Sequence, residues 1–343
     1  VTSAYGNPDL KAETGIEWEA GFDASMLDGR AGLEFTYYNQ HTKDALISVP
    51  DPGSTGFTGN HLVNIGEIAN SGIEVLLTAS PIFSRNLTWD ASLSFSTNHN
   101  ELVSFNGARE EQIFGAFADV QRHREGYPMG AFWAVDVERD ASGQPVLDGG
   151  GDVNVLSSCR WAPSDPTWDQ ATECDDIYIG PSRPTREAAL TNTFTVFGNL
   201  RIFSQFDYRG GHYQWCAICS INSRIDLNTW DVNTGGTELN PGVSDTDVKV
   251  LESLQTLSHI TKADFIKFRE LSLTYTLPSS WGRFFRGSRW SFTLAGRNLA
   301  VWTKYKGRGD PEVQFDPTYT FTMLDYASTP QTRRLSASMR VSF

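Results

Sequence analysis

Leu335-Ser336-Ala337-Ser338-Met339-Arg340-Val341-Ser342-Phe343, the closing stretch of the chain, decides the fold. Leu335, Ala337, Met339, Val341 and Phe343 share one face of an extended segment, and Ser336, Ser338, Arg340 and Ser342 share the other. A half-buried strand of a soluble sandwich has the same local pattern. Recurrence of the pattern, and the lengths of the links between its copies, separate the two cases.

Working outward from that segment, the same alternation recurs toward the N-terminus. Trp290, Phe292 and Leu294 form one apolar row, and Leu271, Leu273, Tyr275 and Leu277 another. Leu200, Ile202, Phe206 and Tyr208 mark a further strand, with a weaker one around Phe194, Val196 and Gly198. Leu87 to Phe95, Ile73 to Ala79, Ala31 to Tyr37 and Ile16 to Ala24 complete a set of nine. Short links (Met26–Gly29, Ser80–Arg85, around Asn199, Pro278–Gly287) alternate strictly with long ones. The long links run roughly Pro50–Asn70, Asn100–Thr185, Gly210–Asp264 and Val301–Thr332. Strict alternation puts every long loop at one end of the sheet, which is the asymmetry of an outer-membrane barrel with short periplasmic turns. The expected fold is all-β: a transmembrane antiparallel β-barrel with long extracellular loops, residues 1–343 supplying its C-terminal part. Nine strands leave open edges in hydrocarbon, so either one more strand lies within Asn100–Thr185 or the remaining strands lie upstream of Val1, the preferred expectation.

Composition agrees. The 343 residues include 10 Trp, 11 Tyr, 21 Phe and 30 Gly, a mixture suited to pleated surfaces and tight corners. A formal charge of -13 argues against nucleic acid, whose phosphates need a basic footprint. No apolar run is long enough for a spanning helix, but a spanning strand needs only about 9–11 residues, half of which can be polar. The start at Val1 carries no signal-peptide pattern.

Candidate chemistry is sparse. Cys159 and Cys174 lie in one long loop, and Cys216 and Cys219 form a C-x-x-C in another. Exposure outside the cell favours disulfides, with the local pairs as the first assignment, although four cysteines allow three pairings. Trp161, Trp168, Tyr178, Trp215 and Trp230 are candidate ligand contacts on external loops; loop anchors or interfacial girdle residues explain them as well. Arg297 and Arg340 fall on the inward face, available to a plug, a solute, or wall acids such as Glu17, Glu19, Glu34 and Glu74. The six histidines form no ligand-spaced motif, and acid pairs such as Asp175–Asp176 and Asp245–Asp247 read equally as solvated turns or calcium loops. No nucleophile elbow, phosphate loop or dinucleotide fingerprint occurs, so no enzyme, cofactor or metal is expected.

Ordered motifs along the chain carry a resemblance. Asn7-Pro8-Asp9-Leu10-Lys11-Ala12-Glu13 is similar to an N-P-x-L-K-x-E strand entrance, and Asn64 to Glu74 to an N-x-G-x-x-x-N-x-G-x-E segment. Tyr127-Pro128-Met129-Gly130-Ala131-Phe132, then Ile179-Gly180-Pro181 with Pro184, Asn192 and Phe194, continue the series. Asp264 to Pro278 resembles a D-Y-L-R-L-K-N-L-T-L-G-Y-T-L-P strand, with Phe268 and Glu270 where the pattern has Leu and Asn. Gly296-Arg297-Asn298-Leu299, Tyr305-Lys306-Gly307 and Asp310-Pro311-Glu312 resemble its N-L…Y-x-G-x-D-P-E run, Gly309 reading as a one-residue insertion. Phe343 resembles the terminal aromatic used as an assembly signal. Together they resemble SusC/RagA-like TonB-dependent receptors.

That resemblance implies a 22-stranded barrel closed by an N-terminal plug and energised through the TonB complex. It also implies a SusD-like lipoprotein lid and a glycan or peptide ligand, with membrane lipid around the wall. The plug, TonB box and first strands are absent from these residues. The alternatives are an adhesion or surface-assembly barrel without transport, which lacks a TonB box in the complete protein, and a soluble carbohydrate-binding β module, which stays soluble without detergent.

Overall fold

A computed structural model of the chain describes residues 7–50, 60–106, 111–114, 120–134, 136–151, 153–156, 177–219, 259–278, 281, 289–307, 309–312, 324–326 and 329–342. β1 (Thr14–Met26) turns into β2 (Ala31–Pro50), which pairs with β3 (Asn60–Phe83). β3 turns into β4 (Leu87–Thr97), and β5 (His99–Ser104) follows past Asn98. Short strands come next: β6 (Glu111–Phe114), β7 (Gln121–Arg124), β8 (Ala131–Ala134), β9 (Asp136–Val137), β10 (Val155–Leu156) and β11 (Ile177–Gly180). β12 (Arg186–Val196) and β13 (Leu200–Gly210) form the next long hairpin, followed by β14 (Tyr213–Cys216) and β15 (Ile260–Lys262). β16 (Phe265–Thr276) and β17 (Arg289–Thr303) form another, then β18 (Leu324–Asp325) and β19 (Arg334–Ser342).

The long strands make one sheet in the order β1-β2-β3-β4-β12-β13-β16-β17-β19, each neighbour antiparallel. All nine alternating segments of the sequence are in this path. β5 pairs with β3 through Ser71 to Glu67, where β4 has ended, so it continues β4 outward and adds no new position across the sheet. Smaller sheets, β11-β8-β7-β6, β15-β14-β18 and β10-β9, are built from the long links. β1 and β19 are the edges of the large sheet, and among the described residues they do not pair with each other.

Register aligns the apolar positions into rows. Leu33, Leu77, Leu93, Leu190 and Phe206 stand side by side on five successive strands. Trp89, Phe194, Ile202, Leu273, Leu294 and Ala337 form a second row. These side chains are held in place by cross-strand contact, as in the stacked Phe206–Phe268 pair with centroids 4.5 Å apart, yet remain open to the outside. The other face carries Glu34, Glu74, Asp90, Thr191, Gln205 and Ser272. Most long strands hold 9–15 residues, enough to cross about 30 Å of hydrocarbon when tilted. β2 and β3, with 20 and 24 residues, are long enough to project well beyond it.

Strand bounds differ from the expectation where bulges break the period. β16 begins at Phe265, six residues before the first alternating apolar residue, because a register shift between Phe268 and Glu270 reverses which parity faces inward. Arg269 and Glu270, consecutive in sequence, therefore both serve the polar face. β17 runs to Thr303 past the left-handed Asn298 (φ 52°), and the expected loop start at Val301 is strand. Residues 60–70 are likewise strand, although the sequence had placed them in a long link; shifts between Thr42 and Leu46 remove the regular alternation there.

Buried core is found mainly in the long links. Val120, Phe132, Ala134, Trp215, Ala217, Ile260 and Leu324 form one cluster, drawn from links that are far apart in sequence. Leu102, Phe105 and Met129 form a second beside β3.

Candidate solute passage and its external loop assembly

The polar face of the large sheet encloses an open hollow of about 470 Å³ lined by Glu34, Glu74, Gln205, Glu187, Asp207 and Arg209, among others. Carboxylates predominate on the β1–β4 side, while cations crowd the β13–β17 side. Arg269 donates to Asp207 at 2.6 Å and, through its two terminal nitrogens, to both oxygens of Glu312 at 2.7 and 2.6 Å. Lys267 reaches Glu312 at 2.7 Å and Asp310 at 2.6 Å. Burial alone would push the Glu312 carboxyl up, but hydrogen bonds from Arg269 and Lys267, with their charges, bring it down to about 2. The segment after β17 is thereby strapped to the polar wall. Arg297 pairs with Glu270 at 3.0 Å, its register neighbour, instead of any of the β1–β3 acids considered from sequence.

The sequence motifs turn out to be one another's partners. The Lys11 N–H donates to Asn64 Oδ1 at 2.7 Å, while Asn64 Nδ2 donates to the carbonyls of Lys11 and Asp44. Glu13 accepts from the Leu46 N–H. Asn100 Nδ2 donates to Asn70 Oδ1 at 2.7 Å, and Asn100 Oδ1 accepts from the Met129 N–H at 2.8 Å. Asp264 accepts from the Gly211 N–H at 2.8 Å and from Lys304 Nζ at 3.3 Å, joining the β12–β13 and β16–β17 hairpins at the rim. Burial opposes ionisation of Asp264, but these donors hold its carboxyl below the usual range. Tyr305 donates to buried Asp325 at 3.0 Å; burial, then that carboxylate, pushes the Tyr305 phenol far up.

Tyr178 packs edgewise on Trp133 (5.4 Å) and against Tyr127 (5.0 Å), and the Arg124 guanidinium covers the Trp133 ring at 5.1 Å. Trp215, 1% exposed, fills the main loop core, so its ring is an anchor between sheets in this structure. Cys216 and Cys219 are joined by a disulfide, packed beside Ala263 and Tyr305. Cys159, Cys174, Trp161, Trp168, Trp230 and Phe343 lie outside the described residues. Sequence reasoning had not singled out Lys267, Asp310 and Glu312 as a unit. Two cations alternating on a strand, and an Asp-Pro-Glu beyond it, were the available signal.

A wide antiparallel sheet, apolar outside and polar within, with folded loops at one end, defines the wall of an outer-membrane barrel. The chain matches the TonB dependent receptor-like β-barrel family model over residues 1–299 and belongs to that family, integral to the outer membrane. It is similar to the TonB-dependent receptor SusC of Bacteroides thetaiotaomicron, 25% identical over 322 residues, 90% of this chain and 30% of that protein. It is also 35% identical over 320 residues to the TonB-dependent receptor P26 of Formosa agariphila, 88% of this chain and 31% of the relative. Among solved structures, the RagAB peptide transporter matches the fold with a TM-score of 0.75 at 21% identity, over 100% of this chain and 37% of that one. The chain thus spans about a third of the relatives' length, within the SusC/RagA-like group.

Proposed function

We propose that this chain forms the C-terminal wall and external loops of an outer-membrane importer of glycans or peptides, driven through TonB. The observation that carries the reading is the family match, joined to a sheet whose polar side holds a charged hollow beneath folded loops. External loops capture solute; the remaining strands close the β1 and β19 edges, since open ladders in hydrocarbon are costly. A plug carried by the rest of the receptor fills the lumen and couples to the TonB complex, and a SusD-like lipoprotein covers the loops. No covalent chemistry is required. Of the similar proteins, RagAB is named as a peptide importer, which supports the peptide part of this reading.

Deleting the gene for the full-length receptor and following depletion of oligosaccharide and oligopeptide mixtures tests this reading. The expected result is lost uptake of a restricted set from one class, restored by the intact gene and by no variant lacking TonB coupling. Unchanged uptake with impaired adhesion or surface assembly would overturn it.

A further inference from the structure

The outer face ends in aromatic rings before the short turns: Trp89 stacks on Phe194 at 5.5 Å, and Tyr275 stands opposite Phe292. Beyond them the turns carry a second set of apolar residues that touch little protein. Leu27 is 73% exposed, Phe197 72% and Trp281 62%. Two occupy backbone positions that disfavour them, Leu27 at φ 55° and Phe197 at φ 50°, where Asn or Gly is cheaper for the chain. Bulky apolar groups in strained, exposed positions gain nothing inside the protein.

Charge at this end runs against the rest of the molecule. The residues between the paired long strands, 27–30, 84–86, 197–199 and 277–288, include Arg30, Arg85, Arg283 and Arg286 with a single acid, Asp28, in a chain of formal charge -13. Arg30 caps the Ser80 and Pro81 carbonyls at 3.1 and 3.3 Å and forms no ion pair among the described residues. Arg85 is exposed and likewise has no carboxylate partner among them. Three residues separate Phe194 from Phe197, about 7 Å along the membrane normal for a tilted strand. A headgroup layer is about 5–8 Å thick on each side of the hydrocarbon. The turn tips therefore reach the depth at which lipid phosphates lie.

We propose that the short-turn rim is a recognition surface for anionic phospholipid of the periplasmic leaflet, Leu27, Phe197 and Trp281 entering the headgroup boundary while Arg30 and Arg85 meet phosphate. The inference rests on the membrane placement of the sheet and is independent of the cargo. Neutralising one juxtamembrane arginine is expected to weaken anionic-lipid binding about fivefold.

The test uses the full-length receptor, purified in detergent and mixed with phosphatidylglycerol and phosphatidylethanolamine of matched chains, with retained lipid counted by native mass spectrometry. Phosphatidylglycerol is expected to be retained in preference, Arg85→Gln and Phe197→Asn to reduce it severalfold, and the external-loop control Arg139→Gln to leave it unchanged. Heat-modifiable gel migration confirms that each variant is folded. Equal retention of the two lipids, or a preference indifferent to Arg85→Gln and Phe197→Asn, would overturn the proposal. Displacement by millimolar inorganic phosphate would overturn the leaflet assignment by showing a phosphate site that ignores the membrane. None of these outcomes depends on uptake of glycan or peptide.

Discussion

Lys267 Nζ lies 2.6 Å from Asp310 Oδ1, with both side chains almost wholly buried and 43 residues apart in sequence. Glu312, two residues on, gathers Lys267 and Arg269 as well. A strap of this kind is no flexible surface pair: removing the Glu312 charge leaves two largely buried cations, Lys267 and Arg269, sharing two carboxylates, Asp310 and Asp207, in place of three. Glu312→Gln is expected to cost about 3 kcal/mol locally and to release the segment after β17. Limited trypsin digestion of the folded receptor should then cut within residues 304–333 several times faster than in the wild type. Unchanged digestion would mean that apolar packing, and not the ion pairs, holds the segment.

The same sheet predicts opposite outcomes for adjacent residues. Leu190 stands in the outward row beside Leu93 and Phe206, while Thr191 faces the polar side between Ser92 and Gln205. Arginine on the lipid face near mid-depth costs about 2–4 kcal/mol, whereas a lumenal position tolerates it. Leu190→Arg should lower the fraction folded into vesicles in a urea titration, and Thr191→Arg should shift the midpoint little. Equal losses at both sites would argue against the assignment of faces.

Much of this architecture could be read from the residues because each pleated strand with one lipid-facing side must alternate. Leu335 to Val341 and Leu87 to Phe95 do so without interruption, and both are strands at those positions. Legibility failed where the backbone departs from period two. The bulge after Phe268 puts Arg269 and Glu270 on one face, and alternation alone cannot place a strand across such a point. The loop core was illegible for another reason. Trp215 is buried against Leu324 and Phe132, which come from other links, and no local pattern specifies long-range packing of that kind. Motifs such as Asn64 and Lys11 were visible as residue strings, but their mutual hydrogen bonds appear only when the pairing of β1 and β3 with β2 brings the entrance to β1 beside Asn64.

Gly72 shows the limit of tolerance within the sheet. A Cβ built there would sit 1.9 Å from the Thr97 carbonyl oxygen and 2.8 Å from the Tyr38 hydroxyl. The first neighbour is backbone at the point where β4 gives way to β5, so it cannot swing aside. Gly72→Ala is expected to destabilise the folded receptor by about 1–3 kcal/mol, the usual cost of overpacking. Gly15→Ala, with open space around the position, supplies the comparison. A thermal transition shifted equally in both variants would show that β propensity, not the close approach, is responsible.

His123 makes the loop sheet sensitive to acid. Its ring is buried in β7, and Nδ1 accepts from the Gly130 N–H at 3.0 Å, a bond that requires an unprotonated nitrogen. Burial lowers its pKa to about 4, against about 6.5 for an exposed histidine. Between those values the unfolded loop binds a proton that the folded loop refuses, so stability falls as pH drops from about 6.5 to about 4 and levels off below. His212, lowered to about 4 chiefly by burial, adds to the same window. Once the intrinsic slowing of exchange in acid is divided out, the protection factors of residues 120–134 should fall from pH 7 to pH 5. His123→Gln cannot titrate, and its side-chain carbonyl can still accept the Gly130 N–H, so most of that dependence should disappear. Persistence of the full effect in this variant would transfer the acid sensitivity to His212 at the rim, where Asp264 joins the hairpins.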